Sequence, residues 1–259
     1  MINFFIVALI GVLLTMTITW FIQLKNNNAG IVDVTWSYNF ALLAYLAFVF
    51  GDGLYDRKVL LTSIAIIWSV RLGTYLYRRN VGKAEDVRYA KLREDWGKAA
   101  TVKMLFFFYF QAIFNMILAV PLVLICFNKD TQLHFNEYLG AAIVLLSVAG
   151  EGLADWQLKQ FKADPKNKGK VCEQGLWYYS RHPNYFFEWL VWVGFLIFAL
   201  SAPYGYIAIV SPVLILWTLL KMTGIPMTEE LSIKSKGDLC REYQRTTSAF
   251  VPMPKKGKM

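Results

Sequence analysis

Seven predominantly apolar runs recur along this chain of 259 residues, each close to the roughly 20 residues an α-helix needs to cross a bilayer. They lie at Asn3–Leu24, Ile31–Phe50, Val59–Tyr77, Val102–Phe127, Tyr138–Leu158, Asn184–Leu200 and Tyr204–Lys221. Hydrocarbon offers no water to a peptide group, so each run must satisfy its own backbone as a helix. The expected fold is all-α: one integral membrane bundle of seven transmembrane helices spanning residues 1–259. Composition agrees, with 56% hydrophobic and only 17% charged side chains, against about 25% charged in soluble domains. The first run lacks a basic leader and exceeds a signal-peptide core, so it reads as a retained helix.

Charge placement sets the expected orientation. Of the lysines and arginines, 23 fall in the first, third and fifth connections and the C-terminal segment, whereas the opposite side carries three, Arg57, Lys58 and Lys129. By the positive-inside rule the N-terminus is outside and the C-terminus cytosolic. The net charge of +9 is thus a topology signal facing membrane lipids, and nucleic acid is not an expected partner. Cys126, Cys172 and Cys240 show no CxxC pattern and no nearby histidine, so neither a metal site nor a disulfide framework is expected. The end of the chain, Lys255–Met259, reads as frayed.

Ionisable residues within a bilayer are costly and turn toward a partner or a cavity. Asp33, Arg71, Glu151, Asp155 and Glu188 all fall toward the expected cytosolic ends of their runs. Singly, each reads as a snorkelling or structurally paired side chain; together, on four helices at one depth, they point to a shared polar cavity. Glu151 and Asp155 are spaced i, i+4, as are Asn184 and Glu188, while Arg71, Tyr75 and Arg78 follow i, i+4, i+7. Each set therefore lines one helix face. Cationic forks beside acceptors suit a ligand that joins phosphates to ribose hydroxyls and amides, such as a dinucleotide or a sulfonium nucleoside.

Two long basic connections flank these runs. Asp164–Lys170 reads as a basic turn, and Gly175–Asn184 enters the sixth run with Arg181 and His182 at the helix start and a proline in its first turn. An anion site there and a loop resting on anionic headgroups stand as equal readings. In the other connection, Asp86–Trp96 reads as an amphipathic helix lying on the membrane, and that reading covers Lys91 and Arg93 without a ligand. Asp86, Arg88 and Tyr89 lie nearer the cavity and are candidate ligand contacts. No GxGxxG motif is present, so a Rossmann-type nucleotide site is not expected.

The segment Gly175-Leu-Trp-Tyr-Tyr-Ser-Arg-His-Pro-Asn-Tyr-Phe-Phe-Glu188, preceded by Asp155 and followed by Trp192, resembles the steroid 5-alpha-reductase family in its bacterial branch. The resemblance continues through Asp33-Val-Thr-Trp36, Trp68-Ser-Val-Arg-Leu-Gly-Thr-Tyr75, Glu85-Asp-Val-Arg-Tyr89, Gly224-Ile-Pro226, Glu229, Tyr243 and Phe250-Val-Pro252. It implies an NADPH-dependent reductase of the bacterial inner membrane, or of the endoplasmic reticulum in a eukaryote. That enzyme saturates the C4–C5 double bond of a 3-oxo-4-ene steroid or a related apolar enone. A monomer suffices for this, with the cofactor half concentrated in residues 150–254.

Carried over by position, the cofactor contacts are Arg71, Tyr75, Asp155, Lys162, Lys170, Asn184 and Tyr185, with Asp86, Arg88, Tyr89, Arg181, His182, Glu188 and Glu229 around them. Lys162 and Lys170 replace arginines of the animal enzymes, keeping charge and losing the fork. A family tyrosine that polarises the steroid ketone is Trp68 here, and Asp33, Trp36 and Tyr38 on the second run are the substitutes, Asp33 as the expected acid. Two other classes share features of the chain. S-adenosylmethionine-dependent membrane methyltransferases of the isoprenylcysteine or phospholipid type carry a similar Arg-His-Pro-x-Tyr segment and glutamate pair. A non-catalytic lipid-binding protein would use the polar residues only to hold its helices together.

Overall fold

The computed structural model describes residues 1–222 and 224–256. Among the described residues the protein is helical throughout, without a β-strand. The α-helices are α1 (Ile2–Asn26), α2 (Ile31–Phe50), α3 (Tyr55–Asn80), α4 (Val87–Trp96), α5 (Ala100–Leu118), α6 (Val120–Cys126), α7 (Phe135–Ala163), α8 (Pro183–Ala199), α9 (Val210–Trp217), α10 (Ile225–Lys236) and α11 (Asp238–Thr246). Among the described residues, six helical stretches are long and apolar enough to cross a bilayer: Ile2–Asn26, Ile31–Phe50, Tyr55–Asn80, Val87–Cys126, Phe135–Ala163 and Gly205–Lys236. The remaining expected run is α8, whose 17 residues sit at the short end of the spanning range of about 17–25.

The chain divides into two compact units, residues 1–141 with 196–211 and residues 142–195 with 212–259. In the first, α1 buries Phe4, Ala8, Val12, Met16, Thr19 and Gln23, a stripe of helical period. Its other faces expose Ile2, Ile6, Ile10, Leu14, Ile18 and Phe21. A helix apolar all round is at home only in lipid or a large core, so these exposed side chains are suited to face lipid. Helices α2 and α3 approach closely at Gly73, where a Cβ would stand 2.9 Å from the Tyr38 ring.

The expected run Val102–Phe127 is broken at Ala119 rather than continuous. Pro121 lacks the N–H that would serve the Ile117 carbonyl, so the helix restarts as α6. Ser211 Oγ donates to the Leu118 carbonyl at 3.0 Å, supplying a donor at the break.

Arg57 is fully buried, together with Glu137. Its Nε is paired with Glu137 Oε1, Nη1 donates to the carbonyls of Asn128 (3.1 Å) and Asp130 (2.6 Å), and Nη2 donates to that of Gln132. Ser201 Oγ and the His134 N–H donate to the Glu137 carboxylate at 2.6 and 2.9 Å. Lys58 Nζ caps α2 by donating to the carbonyls of Phe48 and Gly51 at 3.1 and 2.7 Å. One guanidinium thus satisfies a turn of backbone that no helix serves.

In the second unit Trp177 packs with Phe161, Cys172 and Leu158, and its Nε1 donates to the Ala154 carbonyl at 2.9 Å. Phe250 packs edge-on against Phe186 and Trp189, and Tyr243 donates its hydroxyl to the Trp177 carbonyl. The expected fraying of Lys255–Met259 does not begin at Lys255. Lys255 pairs with Glu173 and lies over the Tyr178 ring at 4.8 Å, while the Lys256 N–H donates to the Thr246 carbonyl at 2.9 Å. Residues 257–259 lie outside the described residues.

Arg57→Met is expected to cost about 3–5 kcal/mol, since it strands a buried carboxylate and several carbonyls together. Arg57→Lys should recover only part, because a point ammonium cannot fork to four acceptors. Thermal unfolding in detergent micelles reads both; a lysine variant as stable as the parent would refute the forked role.

Candidate functional site

Four of the sequence-predicted site residues meet in the first unit. Asp86 ends the connection after α3 and caps α4, accepting from the Arg88 N–H at 3.0 Å. The same carboxylate receives Arg88 Nε at 2.9 Å and Nη2 at 3.1 Å. Arg88 Nη2 also reaches Asp33 Oδ2 at 2.9 Å, and the buried Tyr89 donates its hydroxyl to Asp33 Oδ1. Burial raises the Asp86 carboxyl, but the hydrogen bond and charge of Arg88 more than offset this and hold it below the usual carboxylate range. Both oxygens of Asp33 are therefore engaged by the chain itself.

Arg93, read from the sequence as part of an amphipathic helix on the membrane, lies on α4 and also serves as a strut. It donates to Glu85 at 2.9 Å and to the buried Gln23 at 3.0 Å, and Glu85 also accepts the Ala29 N–H at 2.7 Å. Glu85 precedes α4, so no i, i+4 spacing announces the pair.

On α3 the Arg71 guanidinium lies 5.5 Å from the Tyr75 ring centroid. One turn earlier, Trp68 is fully buried. The Phe40 ring stands 5.2 Å from Trp68 and 4.8 Å from Trp36, edge-on to the latter. Trp36 Nε1 is buried and makes no hydrogen bond among the described residues.

In the second unit the segment entering α8 is held from below. Ser180 Oγ accepts the His182 N–H at 3.1 Å and donates to the Phe250 carbonyl at 2.8 Å. Arg181 donates through Nε to Glu229 Oε1 at 2.7 Å and through Nη1 to the carbonyls of Gln244 (3.0 Å) and Thr247. His182 Nε2 lies 3.2 Å from the same Glu229 oxygen, and Gln244 Nε2 donates to the other at 3.0 Å. Arg181, His182 and Glu229, expected around a cofactor, thus form a clasp between the start of α8, α10 and α11. The Tyr185 ring stacks on His182 at 5.4 Å, and its hydroxyl is 3.3 Å from Thr228 Oγ1.

The clasp presents the next turn of α8. Asn184 Nδ2 reaches Asp155 Oδ1, on α7, at 3.5 Å, while Asn184 Oδ1 is buried with no hydrogen-bond partner among the described residues. Glu188, one turn on, accepts from Trp192 Nε1 at 3.3 Å.

At the end of α7 a cavity of about 320 Å³ is lined by Lys162, Lys168, Lys170 and Lys236, with Phe161 and Cys172 in its apolar wall. Asp164 accepts the Lys166 N–H at 2.9 Å, Asn167 Nδ2 ties back to the Phe161 carbonyl at 3.0 Å, and Gly169 turns the loop at φ 80°. Lys168, Lys170 and Lys236 make no ion pair among the described residues. Burial pushes the Cys172 thiol up, away from a reactive thiolate. Lys236 lies more than sixty residues beyond the loop, and the sequence carried no signal that it would join it.

A family model described as a protein of unknown function, DUF1295, matches residues 19–247. The chain belongs to the DUF1295 family. An uncharacterized protein of Schizosaccharomyces pombe is 25% identical over 287 aligned positions, covering 96% of this chain and 80% of that relative. No solved structure matches the chain significantly. The match begins within α1 and ends just past α11, so it takes in the Asp33–Arg88–Tyr89 cluster, the Asn184–Asp155 pair and the lysine cavity.

Glu229→Gln removes the charge that gathers Arg181 and His182 and is expected to lower stability by about 1–3 kcal/mol, read as a lower melting temperature. A variant that melts with the parent would leave Glu229 free for a ligand. Asp86 makes a pH-dependent contribution. Its folded-state pKa lies below the unfolded value, so its stabilisation is complete above about pH 4 and drains away as pH falls through the folded value. Asp86→Asn should therefore melt lower than the parent at neutral pH and converge with it in acid; parallel curves across that range would contradict the pairing.

Proposed function

We propose that this DUF1295 protein is a seven-span membrane reductase that uses NADPH to saturate the C4–C5 double bond of a 3-oxo-4-ene steroid or a related lipid enone. The observation that carries the reading is Asn184, whose amide nitrogen faces Asp155 at 3.5 Å and whose buried oxygen lacks a partner among the described residues. A buried acceptor left unsatisfied costs about 1–3 kcal/mol, which a donor from a ligand, such as a carboxamide or ribose hydroxyl, relieves.

The donor set at the end of α7 fits the other part of such a cofactor. Asp155 and Lys162 stand two turns apart on one face of α7, about 10 Å along its axis, so the acid–amide pair and the lysine cavity lie along the same face. Lys162 and Lys170 occupy positions where the steroid 5-alpha-reductase family, which the chain resembles, has cationic phosphate contacts. Lys168 and Lys236 add charge to the same cavity.

When bound, NADPH supplies hydride to the β-carbon of an enone while the α-carbon takes a proton. The residues of this chain position and neutralise. Asn184 and Asp155 orient a carboxamide or hydroxyl, the lysines balance phosphate charge, and the clasp of Arg181 with Glu229 fixes the turn of α8 that carries Asn184. Arg181 is thereby assigned to the scaffold, since Glu229 and two carbonyls already take its donors.

Purified full-length protein in nanodiscs is expected to melt higher with NADPH than without it. Asn184→Ala should weaken NADPH about tenfold, equivalent to roughly 1.4 kcal/mol, and Lys162→Ala with Lys170→Ala should weaken NADPH more than NADH. Progesterone and a panel of enones test turnover by loss of reduced-nicotinamide absorbance, with products identified by mass spectrometry. Stabilisation by S-adenosylmethionine in place of NADPH would transfer the chain to the methyltransferases, and stabilisation by neither would leave a lipid-binding role.

A further inference from the structure

Helix α10 is held by polar side chains more than by packing. Of its residues only Ile225, the first, is buried, so no apolar stripe fixes the rest of it. Both of its joints are irregular. Before it Thr218–Met222 winds as a π-helix, a rare form that recurs at functional sites. Gly224, at ψ −102°, packs so closely that a Cβ would stand 2.4 Å from the Leu219 carbonyl oxygen. After α10, Gly237 turns the chain at φ 56° in open space.

Two side chains of this helix reach different places. Glu229 gathers Arg181, His182 and Gln244, and beside it Thr228 Oγ1 lies 3.3 Å from the Tyr185 hydroxyl. The first half of α10 thus grips the turn of α8 that carries Asn184. Lys236, in the last turn, lines the cavity at the end of α7 with Lys168 and Lys170. Glu229 and Lys236 are seven positions apart, two turns along one face and about 10 Å along the axis. All of these residues belong to the second unit. Lys168, Lys170 and Lys236 make no ion pair among the described residues, and Asp164, which also lines the cavity, accepts the Lys166 N–H. Gathered ammonium groups repel one another until an anion joins them.

We infer that α10 is a rod that couples the cavity to the clasp: a phosphate-bearing anion among the lysines draws in Lys236 and thereby fixes Glu229, Arg181 and the turn of α8 that presents Asn184. Lys236 is a positioning residue in this arrangement and acts on Asn184 through α10. The anion offers phosphate or pyrophosphate oxygens, from a soluble nucleotide or from a lipid headgroup, and only its identity with NADPH rests on the reductase reading. Coupling of this kind is reciprocal, so a ligand seated at Asn184 tightens the cavity's hold on its anion by the same factor.

Hydrogen exchange of the full-length protein in phosphatidylcholine nanodiscs, with inorganic pyrophosphate as the probe, tests the coupling. At about ten times its Kd, pyrophosphate is expected to slow exchange about tenfold in residues 162–172, in α10 and in the first two turns of α8. Lys236→Gln, given enough pyrophosphate to reach the same occupancy, should keep the slowing in 162–172 and lose it in α10 and α8. Lys168→Gln, which alters only the loop side of the cavity, should keep all three at that occupancy. Slowing confined to 162–172 in the parent, slowing of α10 that survives Lys236→Gln, or no binding of pyrophosphate overturns the proposal. The same pattern without pyrophosphate, in nanodiscs that carry phosphatidic acid, supports it with a lipid headgroup as the anion. Failure of NADPH to bind would sink the reductase reading and leave the pyrophosphate result standing.

Discussion

Hydrocarbon supplies no hydrogen bonds to a peptide group, and the departures from helix in this protein are answered by named side chains. Where Pro121 breaks α5 from α6, the Ser211 hydroxyl reaches the Leu118 carbonyl. Where the backbone turns between Asn128 and Gln132, Arg57 collects the carbonyls and the Glu137 carboxylate. Where α2 ends, Lys58 takes its last carbonyls. Each device puts a polar or charged group in a place that would be prohibitive for it alone, and each is tolerated because every orphan it meets is an acceptor.

Cations accordingly divide into two kinds. The arginines Arg57, Arg88, Arg93 and Arg181 fork between carboxylates, amides and carbonyls and are largely consumed in holding the chain together. In the cavity at the end of α7, Lys168, Lys170 and Lys236 stand beside Asp164 and make no ion pair among the described residues. Guanidinium geometry explains the split: a planar fork satisfies several fixed acceptors at once, whereas an ammonium on a flexible stem serves a ligand whose oxygens can move.

Polar groups left unsatisfied are correspondingly informative. Asn184 Oδ1 in the second unit and Trp36 Nε1 in the first are buried without a hydrogen-bond partner among the described residues. One is an acceptor beside a carboxylate, the other a donor among aromatic rings. On the proposed reading, a polar ligand with donors meets the first.

Helix content was legible in the sequence because apolar runs of membrane length leave the backbone one solution, and the α4 start was legible because Asp86 is a capping residue before an amphipathic stretch. The lipid-facing surface followed for the same reason. The spacing of Glu151 with Asp155, and of Asn184 with Glu188, announced shared faces, since helical period is local. Tertiary structure alone decided which charges are structural. Arg57 counted in the sequence only as a topology signal, Arg93 as part of a helix on the membrane surface and Arg181 as a residue around the cofactor. Their acceptors lie dozens of residues away or outside the helix period, as do Glu137 for Arg57 and Glu229 for Arg181. The same holds for Lys236 and for the lone Trp36 donor. Sequence determines what a helix face carries; only packing determines which of those groups the chain itself satisfies.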